Sequence, residues 1–164
     1  MQVRDAVERD GPAILAIHNE VVATSTAIYS ETPSTLDERL AWLRGRIQAG
    51  YPVIVSEDES GVTGYASFGP FRDRPGYRFT VEHSVYTRAD RRGCGVGHVL
   101  MAELIVRAVA MGMHVMIAGV DAENTASLRF HERLGFERVA HFKEVGYKFG
   151  RWLDLVFLQR RLTP

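Results

Sequence analysis

At 164 residues, 46% hydrophobic and 24% charged, the chain is long enough to bury one substantial core and has an ordinary globular composition. Twenty Lys and Arg balance twenty Asp and Glu, which removes the electrostatic case for nucleic acid or an anionic membrane as a partner. No apolar run reaches the length of a membrane span. The charged opening MQVRDAVERDG lacks the apolar core of a secretion signal, and the single cysteine, Cys94, cannot close an internal disulfide. A cytoplasmic protein is expected.

In chain order, residues 2–7 read as a first strand. Asp10 is placed to cap a helix over residues 11–23, with Pro12 in its first turn and Ile14, Leu15, Ile17, Val21 and Val22 on the buried face. Residues 24–33 form a polar loop containing Ile28 and Tyr29, either a plain linker or a wall of a substrate pocket. Thr35-Leu36-Asp37-Glu38 is a capping box that opens a second helix ending at Gly50. Residues 52–57 and 62–68 pair as a hairpin around the turn Asp58-Glu59-Ser60-Gly61. Residues 69–78 (GPFRDRPGYR) are a loop.

Residues 79–112 organise the rest. A β-branched and aromatic stretch over 79–87, interrupted by Glu82 and His83, predicts a strand. Gly93, Gly95 and Gly97 then alternate in a turn. Val99, Leu100, Leu104 and Ala108 recur at helical spacing until Gly112. A Gly-rich turn that opens a helix is an anion site. The first N–H groups of the helix lack internal partners, the macrodipole is positive there, and glycine admits a phosphate to the backbone. Arg91 and Arg92 add charge. Beyond the unit, residues 113–120 predict a buried strand. A short helix capped within residues 121–124 runs to about Leu134, residues 136–143 form a strand, 144–151 a loop and 152–162 the last strand.

The ligand of the turn is narrowed by elimination. A Walker turn needs Gly-Lys-Ser/Thr, which is absent. The dinucleotide fingerprint needs a glycine where His98 or Leu100 stands. What fits is Arg/Gln-x-x-Gly-x-Gly, as Arg92-Gly93-Cys94-Gly95-Val96-Gly97. This resembles the pyrophosphate motif of the GNAT superfamily of N-acetyltransferases, which bind acetyl-CoA. Cys94 is read as a nucleophile or as a small turn residue, and no base is evident beside it. The order β-α-α-β-β-β-α-β-α-β-β, an α/β mixed sheet with helices on both faces in a single domain over residues 1–164, also resembles that fold. The fold implies a splay between the fourth and fifth strands that admits the pantetheine arm.

Further phrases are similar to the phosphinothricin and methionine sulfoximine N-acetyltransferase branch: Glu31-Thr32-Pro33, Gly64 to Gly69, Thr80 to Tyr86, Asn124-Thr125-Ala126-Ser127, His131 before Leu134-Gly135-Phe136, and Lys148 to Asp154. The resemblance implies that Val85, Tyr86 and Thr87 bond the pantetheine through their backbone. It implies that Arg92, Gly93, Cys94, Gly95, Val96, Gly97 and His98 cradle the pyrophosphate, and that Asn124 bonds the pantetheine or acetyl region. Glu82 matches the family's proposed general base, and His131 stands seven after the asparagine, where many GNAT enzymes carry tyrosine and this branch is expected to carry histidine. Arg72, Asp73, Arg74, Glu82, His83 and Ser84 fall in the segments that line an amino-acid pocket. Relatives tend to have Gly-Asp-Trp-Arg where this chain has Gly69-Pro70-Phe71-Arg72, and Arg74 replaces a usual aromatic. A homodimer is implied as well.

The chemistry that the resemblance implies is acetyl transfer to an amine, expected to run by direct attack in a ternary complex. Glu82, or alternatively His83, takes the amine proton directly or through a water. A backbone N–H at Tyr86 steadies the oxyanion, and His131, with an ordinary pKa near 6.5, protonates the departing thiolate. Arg72, Arg74 and Arg78 either clamp a substrate carboxylate or form a solvated loop. Lys148 and Arg151 either stabilise a loop or reach a neighbouring subunit's pocket. His18, His98, His114 and His141 show no ligand pairing, so no metal is expected. The resemblance implies as acceptor a small amino acid analogue (phosphinothricin, methionine sulfoximine or methionine sulfone). The alternatives are a protein N-terminus or other amine, and a CoA-binding module without turnover.

Overall fold

The computed structural model describes residues 1–162. Seven strands form one sheet in the order β1-β2-β3-β4-β5-β7-β6. They are β1 (Gln2–Asp5), β2 (Val53–Asp58), β3 (Gly61–Pro70), β4 (Thr80–Thr87), β5 (Val115–Asp121), β6 (Glu137–Lys148) and β7 (Arg151–Arg161). Helices α1 (Gly11–Thr24) and α2 (Leu36–Gln48) cover one face. Helices α3 (Val96–Ala110) and α4 (Thr125–Arg133) lie on the other. The element order is the one expected. No helix among the described residues is long and apolar enough to cross a membrane.

Local chemistry accounts for most element ends. Thr35 Oγ1 accepts from the Glu38 N–H while Glu38 accepts from the Thr35 N–H, so the capping box forms as read. Asn124 Oδ1 caps α4 through the Ser127 N–H at 3.1 Å. Asp10 does not cap α1. Its carboxylate accepts from Arg4 at 2.7 and 2.9 Å and from the Val7 N–H, which closes a 3₁₀ turn and ends β1 at Asp5 instead of Val7.

The loop expected over residues 144–151 is mostly strand. β6 continues to Lys148 through a bulge between Phe142 and Gly146, where Glu144 takes φ 54° and its N–H bonds Asp154. The polar, Gly-containing sequence there encodes the bulge. Phe149 and Gly150, both at positive φ, make the tight hairpin turn to β7.

The feature that positions the site is the contact between β4 and β5. They are parallel and pair only at Thr80–Val115, Val81–Met116 and Glu82–Ile117. Beyond Glu82 the strands part, as the splay predicts. β4 meanwhile stays in unbroken antiparallel register with β3 from Val81 to Thr87.

Candidate active site

A cleft of about 600 Å³ opens where β4 and β5 diverge. Its lining contains Ser84, Val85, Tyr86 and Thr87 of β4, the turn from Arg91 to His98, Gly119 to Asp121 of β5, and Asn124, Ser127, Phe130 and His131 of the α4 region. Of the predicted cofactor contacts, Val85, Tyr86, Thr87, Arg92, Gly93, Gly95, Val96, Gly97, His98 and Asn124 all line it. Cys94 is the exception. It is exposed outside the lining, with its sulfur toward the Arg92 carbonyl, so the turn presents backbone rather than this side chain.

The turn suits an anion. Gly93 and Gly95 have φ of 79° and 83°, and a Cβ at either would meet open space, so glycine is required there by the backbone and not by crowding. Gly95 ends the turn in the left-handed conformation and starts α3 without a side-chain cap. The Val96 and Gly97 N–H groups donate to no described residue. Arg92 reaches Glu20 on α1 at 2.6 Å and Arg91 reaches Asp58 at 3.1 Å, which fixes the entrance. These donors fit a diphosphate, and the parted strand edge fits an extended amide-bearing arm.

Alternation along β4 sends neighbouring side chains to opposite faces. Glu82, Ser84 and Tyr86 lie opposite Gly69, Ser67 and Tyr65 and share their face, under α1 and α2. Val81, His83 and Val85 face α3 and α4. The backbone alternates too. The Arg88 N–H bonds the Thr63 carbonyl and the Phe71 N–H bonds the Thr80 carbonyl, so the even-numbered residues of β4 exchange bonds with β3. The Tyr86 N–H therefore turns toward β3, not into the cleft. The N–H groups of Val85 and Thr87 point to the parted side, so Tyr86 does not present the oxyanion donor expected of it.

Glu82 sits at the last paired position before the splay. It does not line the cleft directly. Gly119 lies between, and a Cβ there would come within 3.1 Å of Glu82 Oε1. Gly119 has no left-handed φ, so its glycine is explained by space. Burial raises the Glu82 carboxyl above the ordinary range, against the opposing pull of Arg72 and Arg46. Tyr86 is near it, and burial pushes that phenol up to about 12. Behind Tyr86, Arg39 donates to His18 Nε2 at 3.1 Å, and His18 Nδ1 meets Tyr65 Oη at 3.3 Å. Burial and Arg39 hold His18 neutral, down at about 4.

The other face carries a stacked imidazole pair. The His83 and His131 rings are 5.1 Å apart at 28°. The Ser127 carbonyl lies 2.7 Å from His131 Nδ1 and can only accept, so Nδ1 carries the proton of the neutral ring and Nε2 a lone pair. Both nitrogens of His83 and Nε2 of His131 are buried without a partner among the described residues. Burial lowers the pKa of His131, and it takes His83 to about 3, with His131 adding to the shift. His83 is thus on the wrong face to serve the Glu82 side as a base. His131 does not have the ordinary titration expected of it.

The arginine loop is only partly gathered. Arg72 stacks on Phe71 at 5.1 Å and its charge reaches Glu82. Asp73 and Arg74 are exposed on the loop and bond no substrate-side group, and Arg78 stacks on Phe79.

Residues 25–33 act as a wall, not a slack linker. Ala27 lines the cleft, Thr26 bonds Asp121 of its lining, and Tyr29 Oη donates to the Asp154 carbonyl at 2.8 Å. Lys148, buried, ties this wall down through the carbonyls of Val22, Ser25 and Ile28 at 2.6–2.8 Å. That settles Lys148 as a loop anchor, and Arg151 pairs with Glu123 on the surface. Among the described residues no His, Cys, Asp and Glu cluster could hold a metal ion. Gly119, Asp121, Ser127 and Phe130 line the cleft but were not among the site residues expected from the sequence. The one usable signal was a glycine interrupting an otherwise apolar strand.

A model of the acetyltransferase (GNAT) family matches residues 14–136. The chain belongs to the GNAT acetyltransferase family. It is 52% identical over 163 residues to the L-methionine sulfoximine/L-methionine sulfone acetyltransferase of Pseudomonas paraeruginosa, covering 99% of this chain and 95% of that one. The crystal structure of a GNAT phosphinothricin acetyltransferase from Sinorhizobium meliloti in complex with acetyl-CoA superposes with TM-score 0.94 and 41% identity, over 98% of this chain and 87% of that one. A structure named ribosomal-protein-alanine N-acetyltransferase, from Brucella melitensis, superposes with TM-score 0.97 and 48% identity, over 98% and 99%. This GNAT chain is an acetyl-CoA-dependent N-acetyltransferase, and the Gly-rich turn and the parted β4 edge are the parts suited to hold that co-substrate.

Proposed function

We propose that this acetyltransferase acylates the α-amino group of a small amino acid analogue of the methionine sulfone, methionine sulfoximine or phosphinothricin kind, by direct attack with both substrates bound. One observation carries the reading: a half-buried carboxylate, Glu82, stands at the mouth of the splay with the charges of Arg46 and Arg72 beside it. A zwitterionic amino acid needs both a proton acceptor for its ammonium and a cation for its carboxylate. The names of the Pseudomonas and Sinorhizobium relatives agree with such an acceptor.

In this reading Glu82 takes the amine proton across the gap left by Gly119, and the amine nitrogen bonds the thioester carbonyl carbon. The Val85 N–H donates to the oxygen on which charge gathers. The C–S bond then breaks and the sulfur takes a proton. His131, neutral with its lone pair at Nε2, supplies that proton only after acquiring one from the cleft, so it assists turnover and does not gate it. Asn124 keeps its amide nitrogen free for the pantetheine arm while its oxygen caps α4.

One specific observation favours a second reading, a protein N-terminus as acceptor: the name of the Brucella structure. The discriminating experiment is release of free CoA thiol from acetyl-CoA with methionine sulfone, methionine sulfoximine, phosphinothricin, methionine and a short peptide. Release with one of the first three is expected. Release with the peptide alone would replace the acceptor and keep the chemistry. A protein that binds acetyl-CoA but releases thiol with none of them would return weight to a binding module.

The same reading takes the chain as one transferase domain, cytoplasmic because its co-substrate is made and used inside cells, and a homodimer. The exposed β6–β7 hairpin, with Val145, Tyr147, Phe149 and Trp152 and a 4.9 Å contact between the Tyr147 and Trp152 rings, supports a self-association face. Sedimentation at micromolar concentration as a single 18.4 kDa species would contradict the dimer.

A further inference from the structure

Arg46 belongs to none of the motifs that the sequence singles out, yet it has a seat made for it. Its guanidinium abuts Gly69 through Nη1, where a Cβ would fall 1.2 Å from that nitrogen. Gly69 is a buried residue near the end of β3 without left-handed backbone, so conformation does not call for glycine there. Space for the guanidinium does. Gly69 is the direct cross-strand partner of Glu82, which places Arg46 on the Glu82 face, beside the carboxylate. Its guanidinium makes no hydrogen bond or ion pair with any described residue, although it is half-buried and its desolvation is unfavourable. Several other arginines end on a carboxylate, among them Arg4 on Asp10, Arg91 on Asp58 and Arg92 on Glu20. Arg72 approaches the same carboxylate from the β3–β4 loop and is also without an acid partner among the described residues.

We propose that Arg46 is a specificity-determining residue that, opposite Arg72, binds the carboxylate of the acceptor and so sets its amine against Glu82. The proposal rests on the amino-acid acceptor argued above. A planar guanidinium fixed by a glycine seat offers paired donors to a planar carboxylate. An α-amino acid held this way has its nitrogen two bonds from the clamped carbon and within reach of the splay. A peptide carries no free carboxylate at that distance, so the same residue would discriminate against it.

The test compares L-methionine sulfone with its carboxamide in wild type, Arg46→Met and Arg46→Lys. Calorimetry on the CoA-loaded protein is read alongside thiol release. In wild type the acid is expected to bind at least tenfold tighter than the amide. In Arg46→Met the acid weakens by roughly ten- to a hundredfold while the amide changes little, so the two converge, and Arg46→Lys restores part of the gap. Acetyl-CoA affinity stays unchanged in both variants, which separates lost recognition from lost folding. An unchanged acid-to-amide ratio in Arg46→Met overturns the proposal. So does a wild type that binds the amide as tightly as the acid, or binds neither. A fall in kcat with an upward shift of the acid limb and an intact ratio would make Arg46 a tuner of Glu82, and would overturn it as well. Tight, Arg46-dependent binding of the acid without turnover would support the clamp while refuting the proposed acceptor.

Discussion

The two faces of β4 each carry ionisable residues into burial and treat them in opposite ways. On the α1–α2 face, Glu82 is only half withdrawn from water and lies between two arginines, so it stays able to gain and lose a proton. On the α3–α4 face, His83 and His131 stack in an apolar cluster, three ring nitrogens lack partners, and both rings are held neutral. One residue of offset decides which side a group is on. Reactivity here comes from partial burial with charges nearby, and full burial without them silences a titratable group.

The largest expected effect breaks this comparison most directly. Glu82→Gln should lower kcat/KM for the amino-acid acceptor by about 10²–10⁴-fold, the usual contribution of a positioned base, with acetyl-CoA affinity intact. His131→Gln, on the quiet face, should cost about tenfold or less. Steady-state kinetics on the pair checks both, and a larger loss at His131 would reverse the ranking. Glu82→Gln should also raise Tm slightly at neutral pH. Because the folded protein raises the Glu82 pKa, ionising that carboxylate opposes folding above it.

A smaller effect sharpens the other half. His83 is held down at about 3 in the folded protein, against about 6.5 when unfolded. Between those values the unfolded chain binds the extra proton, so stability is complete above about pH 6.5 and declines as pH falls toward 3. One withheld proton corresponds to about 1.4 kcal/mol per pH unit. His83→Phe should flatten this decline, measured as Tm against pH from 7 to 4.5. A slope identical to wild type would show that the ring is not the buried neutral group described.

The fold was legible because its signals are local. The Thr35 capping box, the Gly-rich turn into α3 and the β-branched, aromatic stretch of β4 each specify geometry over a few residues. The cofactor side of the site was legible for the same reason, since a phosphate cradle is a contiguous turn. The acceptor side was not. Arg46 and Gly119 reach Glu82 from a helix and a neighbouring strand, and only the sheet register brings them together. The Tyr86 N–H was misplaced by one residue because its direction depends on pairing with β3, which no stretch of β4 encodes alone. The bulge at Glu144 was taken for a loop because bulged strands and loops share polar and glycine residues.

The most direct test of the account is kcat/KM for L-methionine sulfone against pH, at saturating acetyl-CoA, in wild type and Glu82→Gln. The account predicts an acid limb in wild type with its inflection above the ordinary glutamate range, because the base works ionised and burial raises its pKa. It predicts that Glu82→Gln loses that limb together with at least a hundredfold of activity. A Glu82→Gln enzyme within a few-fold of wild type that kept the same limb would contradict it, and the proton acceptor would have to be sought elsewhere in the cleft.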